Sequence, residues 1–390
     1  MQYYYKQPEY FQKFRCIGGD CNVDCCNCSW NIYWSKKEVD KLLSAEMSED
    51  FRKTIQDHII PDPNNPSGNF YITKGIDENR CPFHNKETGL CDIQKELGEE
   101  YLSHTCVVYP RRYFKIDNAV IRFCATSCPA VIKQLMHDKK AATFETIPLR
   151  SCNFEAIAYD PPARLEKLPY LKYRMEILDI YNYIFNSKLS FDAAMLIGPI
   201  FARNVSDSSE KNNGINIPAM IGMVRDMCNQ NDYDLRASNV PANYKSRYNI
   251  AKSLMRGLSD YPTDITVLFN EDNLDSEKYK QGKEKFYAEI HNPDLALKHI
   301  AMNIFLDLFC NSKFREFTFF TYFSYYIYCM STICLIGYAA AYIGNDIEKN
   351  FIDSVAVFAR RALHCDPNEL LKLLEENKIN EPEQLASLIV

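Results

Sequence analysis

From Lys36 to Ile60 an apolar residue recurs at every fourth position: Val39, Leu43, Met47, Phe51, Ile55 and Ile59. That spacing predicts one amphipathic helix. Ser35 and Glu38 form a capping box at its start, and Pro61 ends it. The segment PDPNNPSGN then reads as a loop. Phe70–Thr73 reads as a short strand, as do Tyr113–Ile116 and Ala119–Arg122 on either side of a turn at Asp117-Asn118. From about Glu155 the period becomes helical. Leu165, Leu168, Leu171, Met175, Leu178 and Ile184-Phe185 predict a long helix, and Leu189 to Val205 its successor, capped by Ser190. SDSSEKNNG (206–214) and NQNDYDLRASNVPANYK (229–245) read as exposed connections. More helices are predicted near 264–290, 294–312 and 317–344, and Asp366, Pro367 and Glu369 mark the start of another.

The pattern as a whole predicts a mainly α protein. A cysteine-rich, metal-binding N-terminal domain with little β occupies residues 1–152. An α-helical domain follows over 153–390, with a division near 206–245 as one option, and it is expected to bind cofactor and substrate.

Composition narrows the function. The 390 residues are 46% hydrophobic and 25% charged, ordinary for a globular chain, and the net charge is −6. No basic stripe is present to neutralise phosphates, so nucleic acid is not an expected partner. Only 13 glycines occur, about half the usual share, which disfavours a doubly wound fold with glycine-rich phosphate turns. Between Phe317 and Gly344 there is no charged residue, long enough for a membrane span. Six tyrosines are spread through it, however, and tyrosine belongs at the edges of a span. A central buried helix is the better reading, and a membrane is not an expected partner.

Cysteine is the outlier, with 16 residues, eleven of them before residue 153. The opening MQYYYKQPEYFQKFR has no basic then apolar stretch, so it does not read as a signal peptide and the cytoplasm is the expected location. In that reducing compartment clustered thiols bind metal more often than they pair as disulfides. RCIGGDCNVDCCNCSW carries C-x4-C-x3-C-C-x-C from Cys16 to Cys28. Cys81, Cys91, Cys106 and Cys128 follow. Soft thiolates suit zinc, copper(I) or an iron–sulfur cluster, with a closely spaced group wrapping the metal and a remote pair closing the shell. Cys21, Cys25 and Cys28 also have the C-x3-C-x2-C spacing of radical S-adenosylmethionine enzymes, but no repeated β–α units follow to build their barrel. Cys228, Cys310, Cys329, Cys334 and Cys365 stand in apolar helical contexts and read as small hydrophobes. Cys124 and Cys152 are intermediate. His58, His84, His104 and His137 read as surface or capped histidines rather than ligands.

FRCIGGDC…CC…W (14–30), CPF (81–83), CDIQKELGEEYLSHTCVVYPRR (91–112) and SCP (127–129), with NIFLDLF (303–309) farther on, resemble the bacterial flagellin lysine-N-methylases. That family is related to cysteine-cluster proteins described as zinc- or iron-chelating. The resemblance implies S-adenosylmethionine as methyl donor, a [4Fe–4S] cluster with zinc as the alternative, and surface lysines of flagellin as acceptors. Carried over residue by residue, it implies Cys16, Cys21, Cys25, Cys26, Cys81, Cys91, Cys106 and Cys128 as metal ligands, and Cys28 and Cys124 as extras. Eight thiols exceed the four that one such cluster takes, so there are two centres or some of the eight are structural. Tyr109, Arg111 and Arg112, beside Cys106, are candidate contacts for a cofactor carboxylate, since arginine binds carboxylates bidentately; local acids are the competing partners. No catalytic base is singled out. The alternatives are a non-catalytic metal-binding adaptor and an iron–sulfur redox protein.

Overall fold

A computed structural model describes residues 3–26, 32–65, 68–73, 80–149, 168–210, 214–230, 232–255, 263–270, 273–310, 317–363, 372–373, 376–377, 379 and 381–390. The protein is mainly helical, as expected. Its two compact units comprise residues 15–112 in one, and 1–14 together with 113–390 in the other. The boundary therefore lies elsewhere than the change of composition at residue 152. The reason is the first strand: β1 (Tyr4–Pro8) lies between β6 (Ala119–Cys124) and β7 (Phe144–Pro148), parallel to one and antiparallel to the other. With β5 (Arg111–Ile116) the order is β5-β6-β1-β7. The cysteine-rich unit is thus an insertion between Phe14 and Tyr113. The turn predicted at Asp117-Asn118 joins β5 to β6, with Asp117 in the left-handed region at φ 53°.

Helix α1 (Tyr10–Lys13) ties the N-terminus into the larger unit. The Tyr10 hydroxyl donates to Asn303 Oδ1 at 2.5 Å and accepts from the Cys124 N–H at 2.9 Å. Asn303 Nδ2 donates in turn to the Cys124 carbonyl and to Thr126 Oγ1, while Thr126 donates from both its N–H and its hydroxyl to Asp307 Oδ2. Asn303 and Asp307 lie on one face of α13 (Pro293–Phe309), and α6 (Pro129–His137) packs against the same helix. Burial above all lifts the Tyr10 phenol far above its ordinary pKa, which keeps it a donor.

The other predicted helices appear with shifted edges. The first becomes a short 3-10 turn (Pro169–Tyr173) leading into α7 (Arg174–Asn186); Leu165 lies outside the described residues. Helix α8 (Phe191–Glu210) begins after Ser190, whose Oγ accepts from Ala193 N, and runs five residues into the segment expected to be a connection. The stretch 229–245 likewise holds α10 (Tyr233–Ser238) and the start of α11 (Tyr244–Leu254), between α9 (Ile217–Asn229) and the later helices. Polar residues there cover exposed helix faces. Near 264–290 a small hairpin (β8, Phe269–Asn270; β9, Asn273–Leu274) precedes α12 (Ser276–Glu289). The helix start expected at Asp366 lies outside the described residues.

Helix α14 (Phe319–Ile343) is long and apolar enough to cross a membrane, yet 89% of that stretch is buried within the protein. Three of its polar side chains bond protein carbonyls: Tyr322 that of Phe305 at 3.2 Å, Tyr325 that of Ala362 at 2.6 Å, and Ser331 that of Leu388 at 2.7 Å. It packs against α8, α11, α12 and α15 (Ile347–Ala362). Close to α12 only glycine fits at 282, because a Cβ there would lie 2.4 Å from the Tyr338 carbonyl oxygen.

In the inserted unit the single helix predicted from Lys36 to Ile60 is two: α2 (Lys36–Leu43) and α3 (Glu49–His58). A stripe repeating every four residues drifts by about 40° per step on a helix of 3.6 residues per turn, so one straight helix would turn Ile55 and Ile59 away from the core. The break at 44–48, where Ser48 caps α3, returns them to it. The expected capping box at Ser35 and Glu38 is present. Strands β2 (Tyr33–Ser35), β3 (Ile59–Pro61) and β4 (Phe70–Thr73) form a sheet in the order β2-β4-β3. Trp34, Val39, Leu42, Ile55, Ile59, Phe83 and Ile93 make this unit's own core, with Cys81 and Cys91 packed at its edge. Helices α4 (Asp92–Leu97) and α5 (His104–Val108) complete it.

Two glycines separate a packing constraint from a propensity effect. Gly282→Ala is expected to lower stability by about 1–3 kcal/mol, because α14 backbone cannot move aside. Gly222→Ala, exposed in α9 with no neighbour within 4 Å, is expected to raise it by up to about 1 kcal/mol. Thermal unfolding followed by circular dichroism checks both; equal shifts would contradict the close α12–α14 approach.

Candidate thiol centre

The segment Ile17-Gly-Gly-Asp20 reaches the thiols by a backbone-to-backbone contact. A Cβ on Gly19 would sit 2.4 Å from the Thr88 carbonyl oxygen, and one on Gly89, at φ +67°, would sit 3.0 Å from Gly19 Cα. Only glycine permits that approach. It lays the 16–26 loop on a hairpin running from Cys81 to Asp92. The hairpin is held by Asn85 N to the Leu90 carbonyl at 2.9 Å and Asp92 N to the Phe83 carbonyl at 2.8 Å, with His84 and Cys91 as antiparallel bridge partners. Phe83 and Ile93 anchor it in the core. Cys81 N donates to the Cys26 carbonyl at 2.8 Å and so joins the two segments.

This arrangement brings Cys25, Cys26, Cys81 and Cys91 into one neighbourhood. The Cys26 thiol is pushed far up by its hydrogen bond with Cys25, by burial, and by the nearness of Cys25, Cys81 and Cys91. Burial also raises Cys91, with Asp92 and Cys25 adding to it against hydrogen bonds from the start of α4. Such thiols resist ionisation unless positive charge is supplied, and a metal ion is the cation their soft sulfurs prefer. Among the described residues no three ligating side chains stand close enough to enclose an ion as they lie. The donor chemistry fits a soft metal, while the closed coordination shell expected from the sequence is not formed.

The remaining predicted ligands are placed otherwise. Cys16 and Cys106 are exposed, and the Cys21 thiol turns to the Val23 carbonyl at 3.2 Å. Cys128 belongs to the larger unit, where it is buried at the N-terminus of α6 near Tyr10, with Cys124 beside it. Of the eight thiols, seven belong to the unit of residues 15–112 and Cys128 to the other. Cys28 and Cys152 lie outside the described residues. Cys228, Cys310, Cys329 and Cys334 are buried as expected of small hydrophobes, and burial lifts Cys228 to about 11 and Cys334 to about 12. Cys365 lies outside the described residues. Tyr109 follows α5 and Arg111 and Arg112 open β5, all partly buried.

Glu38 links the caps of this unit: its carboxylate accepts from Ser35 N and from His104 N, both at 2.6 Å. Burial works against the charge, but these bonds and that from the Ser35 hydroxyl hold its pKa below the ordinary value. His104 and His137 are exposed, as expected, and His137 pairs with Glu348 at 2.9 Å. His84 departs from the expectation. Its side chain is 9% exposed, and neither ring nitrogen makes a hydrogen bond. Asp24 Oδ2 faces its Nε2 at 3.8 Å, while Asp24 Oδ1 accepts from Cys26 N at 2.9 Å. Asp24 and His84 were legible only as a signal of spacing: Cys81-Pro-Phe-His84 has the C-x2-H form of short metal loops.

The chain matches the family model of the FliB lysine N-methylase C-terminal domain over residues 180–388. It is 32% identical over 155 residues to the lysine-N-methylases of Salmonella typhimurium and Salmonella choleraesuis, in each case over 37% of this chain and 37% of the relative. The flagellar biosynthetic protein FliU of Salmonella muenchen is 31% identical over 137 residues, 35% of this chain and 78% of that relative. The match thus spans well under half the length of the two lysine-N-methylases. No solved structure matches the chain.

The thiolate is the reacting form of cysteine, so raised pKa values slow alkylation. In metal-free, reduced protein at pH 8, iodoacetamide is expected to label Cys16 and Cys106 well before Cys26 and Cys91. Labelling of Cys91 should rise about tenfold per pH unit above that. Peptide mass spectrometry reads the order, and rapid labelling of Cys91 at pH 8 would contradict the thiol neighbourhood.

Proposed function

Because this chain belongs to the FliB lysine N-methylase family, we propose that it transfers methyl groups from S-adenosylmethionine to lysine side chains of flagellin, in the cytoplasm. The family match over residues 180–388 is the observation that carries this reading. The name of the FliU relative, a flagellar biosynthetic protein, supports the choice of flagellin as substrate.

The chemistry sets what the protein must do. The lysine nitrogen needs a lone pair, yet free lysine titrates near about 10.4. A site that desolvates the ammonium, or gives its proton to a base, favours the neutral amine. The amine then forms the N–C bond as the sulfonium S–C bond breaks, and the proton leaves to solvent. The matched region offers a buried polar interior for such work: Lys283 pairs with Asp192 at 2.8 Å, and the hydroxyls of Tyr279 and Tyr338 are buried with no hydrogen bond among the described residues. Tyr109, Arg111 and Arg112 remain the proposed contacts for the carboxylate of the methyl donor.

Within this reading the ligands of the metal centre, a [4Fe–4S] cluster with zinc as the alternative, are drawn from Cys25, Cys26, Cys81, Cys91 and their neighbours. Bound iron or zinc would supply a Lewis acid and would fix the two cysteine segments together. Cys16, Cys21, Cys106 and Cys128 are family-implied ligands that a second centre or a structural role accounts for.

Incubating anaerobically purified protein with flagellin and S-adenosylmethionine is expected to add mass to flagellin lysines in steps of one methyl group. Intact-mass and peptide spectra read the gain. Unmodified flagellin in that assay, and in cells that make the protein, overturns the methylase reading and leaves the adaptor.

A further inference from the structure

The His84 side chain is 9% exposed and makes no hydrogen bond among the described residues, and its backbone pairs with Cys91 and bonds the Cys81 carbonyl. Burying a polar group unsatisfied costs roughly 1–3 kcal/mol, so its position calls for a partner. We propose that His84 is a nitrogen donor to the thiol centre, completing a three-sulfur, one-nitrogen set with Cys26, Cys81 and Cys91, and that Asp24 orients its ring. The inference rests on the metal-centre reading above and specifies its ligands.

Three geometric facts carry it. First, His84 and Cys91 are antiparallel bridge partners, and residues directly opposite in such a pair project their side chains from the same face. Second, His84 N bonds the Cys81 carbonyl at 3.1 Å, so Cys81-Pro-Phe-His84 closes into one turn with both donors in a four-residue loop. Third, Asp24 uses one carboxylate oxygen to hold Cys26 N and turns the other to His84 Nε2. At 3.8 Å the two are not yet hydrogen-bonded; drawn together, they would form the carboxylate–histidine pair that fixes the ring of a metal-bound imidazole and leave Nδ1 for the metal.

The set also resolves a difficulty with four sulfurs. Cys25 and Cys26 are adjacent, and adjacent side chains cannot easily face one ion. Cys26 is the less exposed of the two and lies near both Cys81 and Cys91. Thiols and imidazole swing between staggered rotamers, which is how the set would close. The same donors serve one tetrahedral ion, or give one donor to each of the four irons of a cluster.

The test is anaerobic titration of the full-length, metal-free protein with Co2+, whose visible bands report the donor atoms and whose near-ultraviolet sulfur-to-metal bands count thiolates. Wild type is expected to show a tetrahedral spectrum with three thiolates. His84→Cys should raise the near-ultraviolet intensity by about one third, as a fourth thiolate joins a tetrahedral set. His84→Ala should shift the visible bands and weaken Co2+ binding at least tenfold, and Asp24→Ala should weaken it about tenfold with the bands nearly in place. Circular dichroism confirms that each variant is folded, and His84→Cys keeps the test open if His84→Ala is not. A four-thiolate wild-type spectrum that His84→Ala leaves unchanged overturns the inference while the thiol centre stands. Failure of wild type to take up Co2+ removes the thiol centre itself and the inference with it.

Discussion

Everything in the larger unit depends on a buried chain of hydrogen bonds from Tyr10 through Asn303 and Thr126 to Asp307. A carboxylate, an amide and a phenol taken out of water must satisfy one another, and the geometry that does so admits one arrangement of the chain. It pins the first fourteen residues to a helix nearly three hundred residues away. It also brings together two motifs that are far apart in sequence: Ser-Cys-Pro at 127–129, directly after Thr126, and NIFLDLF at 303–309, which supplies both Asn303 and Asp307.

This lock explains why the cysteine-rich unit is an insertion rather than an N-terminal domain. With residues before and after it both committed to one sheet, residues 15–112 leave after β1 and α1 and return at β5, with β6 between those two strands. The insertion carries a core of its own around Trp34 and Phe83, and its loops are set by close glycine contacts rather than by regular structure. Donors for a soft metal gather where two such loops meet, and burial together with their mutual nearness raises the Cys26 and Cys91 thiols. The family-model match, over residues 180–388, falls on the larger unit, and the thiol neighbourhood falls within residues 15–112.

Local patterns were readable where one short stretch determines its own outcome. The Ser35–Glu38 capping box, the Ser190 cap and the buried helix over 319–343 all follow from residues within a few turns of one another. The helix expected from 36 to 60 failed for a reason also visible in its spacing, since a four-residue repeat slides around a 3.6-residue helix. Polar stretches at 206–214 and 229–245 misled because exposed helix faces and loops draw on the same residues.

By itself the sequence determined the mainly helical class, the family through its cysteine and NIFLDLF motifs, and the soft-donor character of residues 16–106. Only the tertiary structure decided which thiols are neighbours, that Cys128 lies in the other unit, and that His84 is buried rather than capped at the surface. The physical reason is range. Capping and periodicity act over a few residues, whereas the site of a donor depends on strand pairing, on glycine contacts and on buried hydrogen bonds between residues distant in the chain.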